Sequence, residues 1–167
     1  MIDHGKISRL SASRKGEIAE VLFTAGAMVN DWEIFLPLGH AQTTDVCVIK
    51  PLTAPVRVQV KTAWWDDARH AFQISVRRSG SYSGKKRPYV SGDFDVLAGY
   101  LPELNQFVFW SFADISGRQK INYSPNRHRK PSNWELLDQV ATIYSQESQG
   151  VSQPLSDPLP NTASILL

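Results

Sequence analysis

The chain has 167 residues, of which 42% are hydrophobic and 20% charged, so it can bury one substantial core but has little material for a second. Its longest apolar runs, 46–49 and 107–110, are strand-sized and far shorter than the ~20 residues of a membrane-spanning helix. A single cysteine, Cys47, excludes a disulfide within one chain, and the charged N-terminal residues show no secretion signal. We therefore expect a soluble, cytoplasmic protein with one domain over 1–146 and a flexible, Ser-, Gln- and Pro-rich tail over 147–167.

The expected elements are a first helix, a series of strands and a last helix. Ser11 or Ser13 can cap a first helix over about 13–29, because Ile18, Leu22 and Ala25 recur along one face. A last helix is expected over 133–145. Between them, period-two patterns and turn residues predict strands at 32–36, 45–49, 56–64, 71–76, 94–100 and 107–112.

The strand expected at 56–64 carries the main chemical signal. It alternates between valines and polar residues, so Gln59 and Lys61 project from one face. Asp45 opens the preceding strand, and a hairpin between the two strands would bring Asp45 opposite Gln59. Oxygen ligands hold a hard divalent cation, and a lysine can orient the attacking water or stabilise charge on a phosphate. Asp45, Gln59, the Val60 carbonyl and Lys61 are therefore candidates for metal-dependent phosphodiester cleavage.

Positive charge is concentrated in two short segments, although the net charge is only +2. Segments 77–88 and 118–130 contain ten of the 18 lysines and arginines and no acid, and both are expected to be loops. Such segregation is typical of a surface that binds a polyanion, whereas the simpler interpretation is two solvated loops. The candidate DNA-binding residues are Arg77, Arg78, Tyr82, Lys85, Lys86, Arg87, Arg118, Lys120, Arg127, His128, Arg129 and Lys130.

Several aromatic residues allow two interpretations. Trp64 and Trp65 could stack on bases, but packing in the core or at an interface is favoured. Tyr82 lies within the first basic segment and Tyr89 directly follows it, and either could contact a phosphate backbone or a base.

Three segments resemble the motifs of PD-(D/E)XK nucleases: GEIAE at 16–20, TDVCVI at 44–49 and VQVKT at 58–62. They are most similar to the bacterial group I intron homing endonuclease branch, in which glutamine replaces the usual second acid. Archaeal Holliday-junction resolvases share the broader pattern. The resemblance covers residues 14–112 and implies an α/β (α+β) fold with a restriction-endonuclease-like central mixed β-sheet flanked by helices.

The resemblance also implies roles for individual residues. Asp45 would be the principal metal ligand, Gln59 would take the place of the second acid, and Lys61 would be the motif lysine. Glu20 would be the helix-borne acid that reaches the metal directly or through water. The implied cofactor is Mg²⁺, with Mn²⁺ as a substitute, held by Glu20, Asp45, Gln59 and the Val60 carbonyl. Thr44 replaces the family's proline, and the neutral Gln59 leaves the site one negative charge short.

The expected activity is hydrolysis of double-stranded DNA, with no membrane partner. Because one site cuts one strand, double-strand cleavage requires a homodimer or homotetramer. The alternatives are a nuclease that resolves branched DNA, a degenerate fold that only binds DNA, and an RNA-directed nuclease.

Overall fold

The structure is a computed structural model, and it describes residues 4–7, 9–38, 43–78, 86–126 and 134–150. The helices are α1 (His4–Ile7), α2 (Ala12–Val29), α3 (Phe112–Ile115) and α4 (Glu135–Gly150). The strands are β1 (Glu33–Phe35), β2 (Val46–Ile49), β3 (Val56–Thr62), β4 (Trp64–Asp66), β5 (Ala71–Ser75), β6 (Arg77–Arg78), β7 (Arg87–Pro88), β8 (Val96–Leu101), β9 (Gln106–Ser111) and β10 (Lys120–Tyr123). Residues 147–150 of the predicted tail belong to α4, and the rest of it lies outside the described residues.

A five-stranded mixed sheet in the order β1-β2-β3-β8-β9 forms the centre of the fold. The β3–β8 pair is parallel, and the other neighbours are antiparallel. Phe23 of α2 and Leu137 of α4 are buried in one core with Val58 and Val96 of the sheet. Burial of these large apolar side chains attaches both helices to the sheet. The predicted α/β (α+β) fold with a central mixed sheet flanked by helices is confirmed.

A second, smaller sheet in the order β10-β5-β4 lies against the other core. Phe72 and Ile74 of β5 and Ile121 of β10 are buried there together with Leu97 of the central β8. Alternate residues of β8 therefore contribute to different cores, which is the expected result of the two-residue period of a strand.

The expected strand over 56–64 is wrong at its end, because β3 stops at Thr62 and Trp64 starts a strand of the smaller sheet. Between them, Ala63 is buried in the second core, and its N–H donates to the carbonyl of Tyr100 at 2.8 Å. The chain passes from one sheet to the other at this point, and β5 pairs with β4 in the smaller sheet.

The two basic segments are not simple loops. Ile121 and Tyr123 of β10 are buried, whereas Lys120 and Asn122 are exposed, so part of segment 118–130 is an amphipathic strand. In segment 77–88, β6 pairs with β7 in a two-residue ladder. Strands β6 and β7 are only two residues long and β10 only four, so the sequence alone does not show a recognisable alternation of inward- and outward-facing residues.

A buried carboxylate connects the start of the parallel strand pair. Asp95 is only 4% exposed and accepts hydrogen bonds from the backbone N–H of Arg57 at 2.7 Å and from its guanidinium Nη2 at 2.7 Å. The hydroxyl of Tyr144 in α4 donates to the same carboxylate at 3.2 Å. Arg57 therefore has a structural partner, although it shares the polar face of β3 with Gln59 and Lys61.

Helix α2 is fixed near both ends. Ser11 caps its start by accepting from the N–H of Arg14 at 3.3 Å. Near its end, Gly26 lies against Trp134, so that an added Cβ would come within 2.7 Å of the indole ring. Among the described residues, no helix combines the length and apolar character needed to span a membrane.

Candidate active site

The Asp45 carboxylate lies directly over β3. The backbone N–H of Asp45 donates to the carbonyl of Val58 at 3.0 Å, and the next residue pairs with Val58 in the antiparallel ladder. This register places the carboxylate where it accepts from the backbone N–H of Val60 at 2.8 Å. The hairpin expected from the sequence therefore brings Asp45 and the Gln59–Lys61 segment together.

Gln59 contacts two of the candidate ligands with one amide group. Its side chain is 3% exposed, and its Nε2 donates to the Asp45 carboxylate and lies 3.4 Å from the carbonyl oxygen of Val60. Both neighbouring groups are hydrogen-bond acceptors, so the nitrogen of the amide faces them rather than its oxygen. Gln59 would have to turn its amide to present Oε1 to a cation.

Glu20 completes the group from the helix side. It lines a cavity of about 370 Å³ together with Asp45, Val60 and Lys61. The other lining residues are Ala12, Lys15, Gly16, Thr62, Ala63 and Trp64. Thr62 Oγ1 donates to the carbonyl of Lys15 at 3.1 Å, which holds the end of β3 against the first half of α2. The predicted catalytic residues Glu20, Asp45, Gln59 and Lys61 are thus gathered at one place.

Gly16, the first residue of the helix motif, lies next to open space. A Cβ added there would meet no atom within 4 Å. Since Gly16 lines the cavity, its missing side chain leaves open space in the wall rather than permitting close packing.

The two carboxylates are electrostatically unfavourable without a cation. Burial raises the pKa of Asp45, and the charge of Lys61 and hydrogen bonds from Val60 and Gln59 offset this only in part. Burial also raises the pKa of Glu20, and the negative charge of Asp45 raises it further. A bound divalent cation would stabilise both ionised forms, as nearby positive charge does in general.

Lys61 reaches the cavity beside a buried tyrosine. Its Nζ lies 5.7 Å from the ring centroid of Tyr89, which packs edge-on against Phe94 at 4.9 Å between centroids. Burial raises the pKa of the Tyr89 hydroxyl, and the charge of Lys61 acts in the opposite direction. Tyr89 is 8% exposed, so it contacts the candidate lysine rather than offering its ring to DNA. The position of Tyr89 next to a basic segment of the sequence did not predict its contact with Lys61.

The donor set fits a hard cation. No group of three or more His, Cys, Asp or Glu residues suited to a metal occurs in the described part of the chain. The cavity instead offers the two carboxylates, the Val60 carbonyl and, after rotation, the Gln59 amide oxygen. An all-oxygen set of this kind suits Mg²⁺ or Mn²⁺, with a lower negative charge than three carboxylates would provide.

The structure places only part of the predicted DNA-binding set. Lys120 and Asn122 lie on the outer face of β10, while Arg77, Arg78 and Arg87 belong to the two-residue ladder. Lys86 and Arg118 lie next to these strands and are exposed. Outside the described residues are Tyr82, Lys85, Arg127, His128, Arg129 and Lys130.

Comparison with known proteins agrees with this fold. The family model for PD-(D/E)XK endonucleases matches residues 10–141, and the chain belongs to that family. Among solved structures, it is similar to the bacterial homing endonuclease I-Ssp6803I, with a TM-score of 0.64 and 24% sequence identity. The similarity covers 87% of this chain and 100% of that one. No curated protein sequence matches the chain closely enough to count as similar.

Proposed function

We propose that the chain is a Mg²⁺-dependent endonuclease that hydrolyses phosphodiester bonds in double-stranded DNA, in the manner of a homing endonuclease. The observation that carries this proposal is one cavity lined by Glu20, Asp45, Val60 and Lys61, in which the Asp45 carboxylate accepts a hydrogen bond from Gln59. Family membership supports the nuclease activity, and similarity in fold to a bacterial homing endonuclease supports the homing type.

The proposed roles follow from the positions of the side chains. Asp45, Glu20, the Val60 carbonyl and the turned Gln59 amide would hold the cation. The bound cation would supply positive charge to the scissile phosphate and make water more acidic. Lys61 extends into the same cavity, where its ammonium group positions the attacking water and stabilises the charge that develops on the phosphate.

Cleavage of supercoiled plasmid tests the proposal. We expect nicking with Mg²⁺ or Mn²⁺ and none with EDTA. Asp45→Asn and Lys61→Ala should each lower the rate by about a hundredfold or more, which is the usual size of a general acid–base or electrostatic contribution. Asp31→Asn is the matched control, because Asp31 is an exposed acid outside the cavity, in a left-handed conformation that asparagine tolerates. Equal cleavage by all variants would exclude the proposed site.

Two related functions are separable by substrate. A nuclease that resolves branched DNA would cut a four-way junction in preference to the linear duplex of the same sequence. A degenerate protein, marked by Gln59, would bind DNA equally well before and after Asp45→Asn and would cut neither substrate with any metal.

A homodimer or homotetramer is the assembly that we propose for double-strand cleavage, because one cavity serves one strand. Sedimentation with and without duplex DNA measures the assembly. A monomer that converts plasmid directly to the linear form would contradict it.

A further inference from the structure

Two adjacent tryptophans on β4 have similar exposure but different surroundings. Trp65 is 39% exposed, its indole N–H donates to Asp67 at 2.9 Å, and its ring packs edge-on against Phe72 at 4.9 Å. Trp64 is 41% exposed and lines the candidate catalytic cavity. Trp65 therefore has the contacts of a structural residue, whereas Trp64 presents an aromatic face at the rim of the cavity.

The ammonium group of Lys120 lies over the exposed ring of Trp64. The Nζ of Lys120 lies 5.6 Å from the ring centroid of Trp64 and 3.3 Å from Oε1 of Gln73. Trp64 pairs with Gln73, and Gln73 pairs with Asn122, so these residues form one row across the smaller sheet. Gln73 is 4% exposed beneath this cover, and Lys120 and Asn122 face outward.

Among the ion pairs of the described residues, none involves Lys120, so its charge is available to an external anion. At the end of β4, Asp66 is engaged by Arg69 at 2.6 Å and by the amide of Gln73. Hydrogen bonding to Arg69 lowers the pKa of Asp66, which accords with a carboxylate satisfied by its own neighbour. The outer face of the sheet thus joins an aromatic ring and a cation directly to the cavity wall.

We propose that Trp64 and Lys120 bind the DNA nucleotide that adjoins the scissile phosphate, a role that rests on the proposed function. The indole packs against the base or sugar of that nucleotide, and the ammonium group pairs with its phosphate. Nucleic-acid surfaces commonly combine an aromatic platform with a positive charge in this way. Phosphate contacts fix the position of the strand, so Trp64 and Lys120 would also help to set which phosphate enters the cavity.

Binding to a short, fluorescein-labelled duplex of arbitrary sequence, measured by anisotropy in EDTA, tests this role without cleavage. We expect Trp64→Ala to weaken binding about tenfold, the loss expected for one stacked base. Trp64→Phe keeps an aromatic face and should stay within about threefold of the unaltered protein. Lys120→Gln should reduce the salt dependence by about one phosphate contact. Trp65→Ala is the matched control and should bind DNA like the unaltered protein while losing thermal stability.

A second readout covers the case in which Trp64→Ala does not fold. DNA should quench tryptophan fluorescence less in Trp64→Phe than in the unaltered protein. Unchanged affinity in folded Trp64→Ala, or equal quenching in Trp64→Phe, would overturn the inference. If the unaltered protein still cuts DNA in that case, the proposed function stands. If the unaltered protein neither binds nor cuts DNA, the proposed function fails and this inference fails with it.

Discussion

Replacing Gln59 by Glu would restore the carboxylate that PD-(D/E)XK nucleases usually have, at a predictable loss of stability without metal. The Gln59 amide donates to the Asp45 carboxylate and lies 3.4 Å from the Val60 carbonyl. A glutamate at this position has no N–H to donate and adds a third negative charge beside two carboxyls whose pKa values are already raised. The variant should therefore hold a cation more tightly but fold less stably in EDTA.

The size of the effect can be worked from these contacts. A hydrogen bond to a charged group contributes about 1.5 to 3 kcal/mol. Repulsion between carboxylates in contact would add a similar amount, but one of them can take up a proton. Protonation removes the repulsion and lets the protonated carboxyl donate in place of the amide, so the total loss stays at about 3 kcal/mol. For a chain of 167 residues this corresponds to a melting temperature lower by about 6 to 12 °C in EDTA. Mg²⁺ affinity should rise by about tenfold or more, because ligand charge sets the strength of such sites.

Calorimetric melting in EDTA and across a Mg²⁺ titration measures both quantities. Gln73→Glu is the matched control, because Gln73 is also buried and its amide also donates to a carboxylate, that of Asp66, but Gln73 does not line the cavity. Mg²⁺ should leave the melting temperature of the control unchanged, whereas Gln59→Glu should recover its loss. A Gln59→Glu protein that melts at the original temperature in EDTA and binds Mg²⁺ no better would refute the reasoning.

Further predictions concern pH, helix packing and the ion pair of the buried Asp95. The raised pKa values of Asp45 and Glu20 mean that the folded, metal-free protein binds more protons than the unfolded chain. This contribution is fully present below the ordinary pKa values of 3.8 and 4.5 and is lost as pH rises through the raised pKa values. Urea unfolding across that range should show the loss in EDTA and not in the Glu20→Gln, Asp45→Asn double variant; identical profiles would contradict it. Gly26→Ala forces Cβ against Trp134, so overpacking of about 1 to 3 kcal/mol should exceed the gain of about 1 kcal/mol in helix propensity, and unchanged or higher thermal stability would be the contrary result. Asp95→Asn removes the buried carboxylate that pairs with the half-exposed Arg57 guanidinium and should lower the free energy of unfolding by about 1.5 to 3 kcal/mol in urea titrations; a loss below about 0.5 kcal/mol would assign the pair no structural role.

The fold and the central pair of strands could be predicted because their signals are local. The alternation in β3 places Gln59 and Lys61 on one face, and a hairpin of the observed length brings Asp45 to them. Glu20 could be predicted only from the resemblance of its helix motif, because it lies outside the apolar face that defines α2. Its place at the cavity depends on how α2 crosses the sheet, which no local pattern records.

The smaller sheet could not be predicted for the same reason. No turn residue follows Thr62 to mark a strand end, but the chain leaves the central sheet at Ala63, whose burial depends on residues far away in sequence. Strand β10 is only four residues long, and its pairing with β5 is what makes Ile121 and Tyr123 inward-facing. Trp64 was consequently expected to pack in the core or at an interface, and its position at the cavity rim emerged only from the tertiary structure.

Glu20 owes its position to two contacts of α2, one on each side of it along the helix. Thr62 fixes α2 at Lys15, and Trp134 meets it at Gly26, about 16 Å further along the axis at 1.5 Å per residue. The middle of α2 can therefore move relative to the sheet only if one of these two contacts is lost. Substituting a larger residue for Gly26 should therefore reduce activity as readily as substituting an acid in the cavity. A second substitution that makes residue Trp134 smaller should restore the activity.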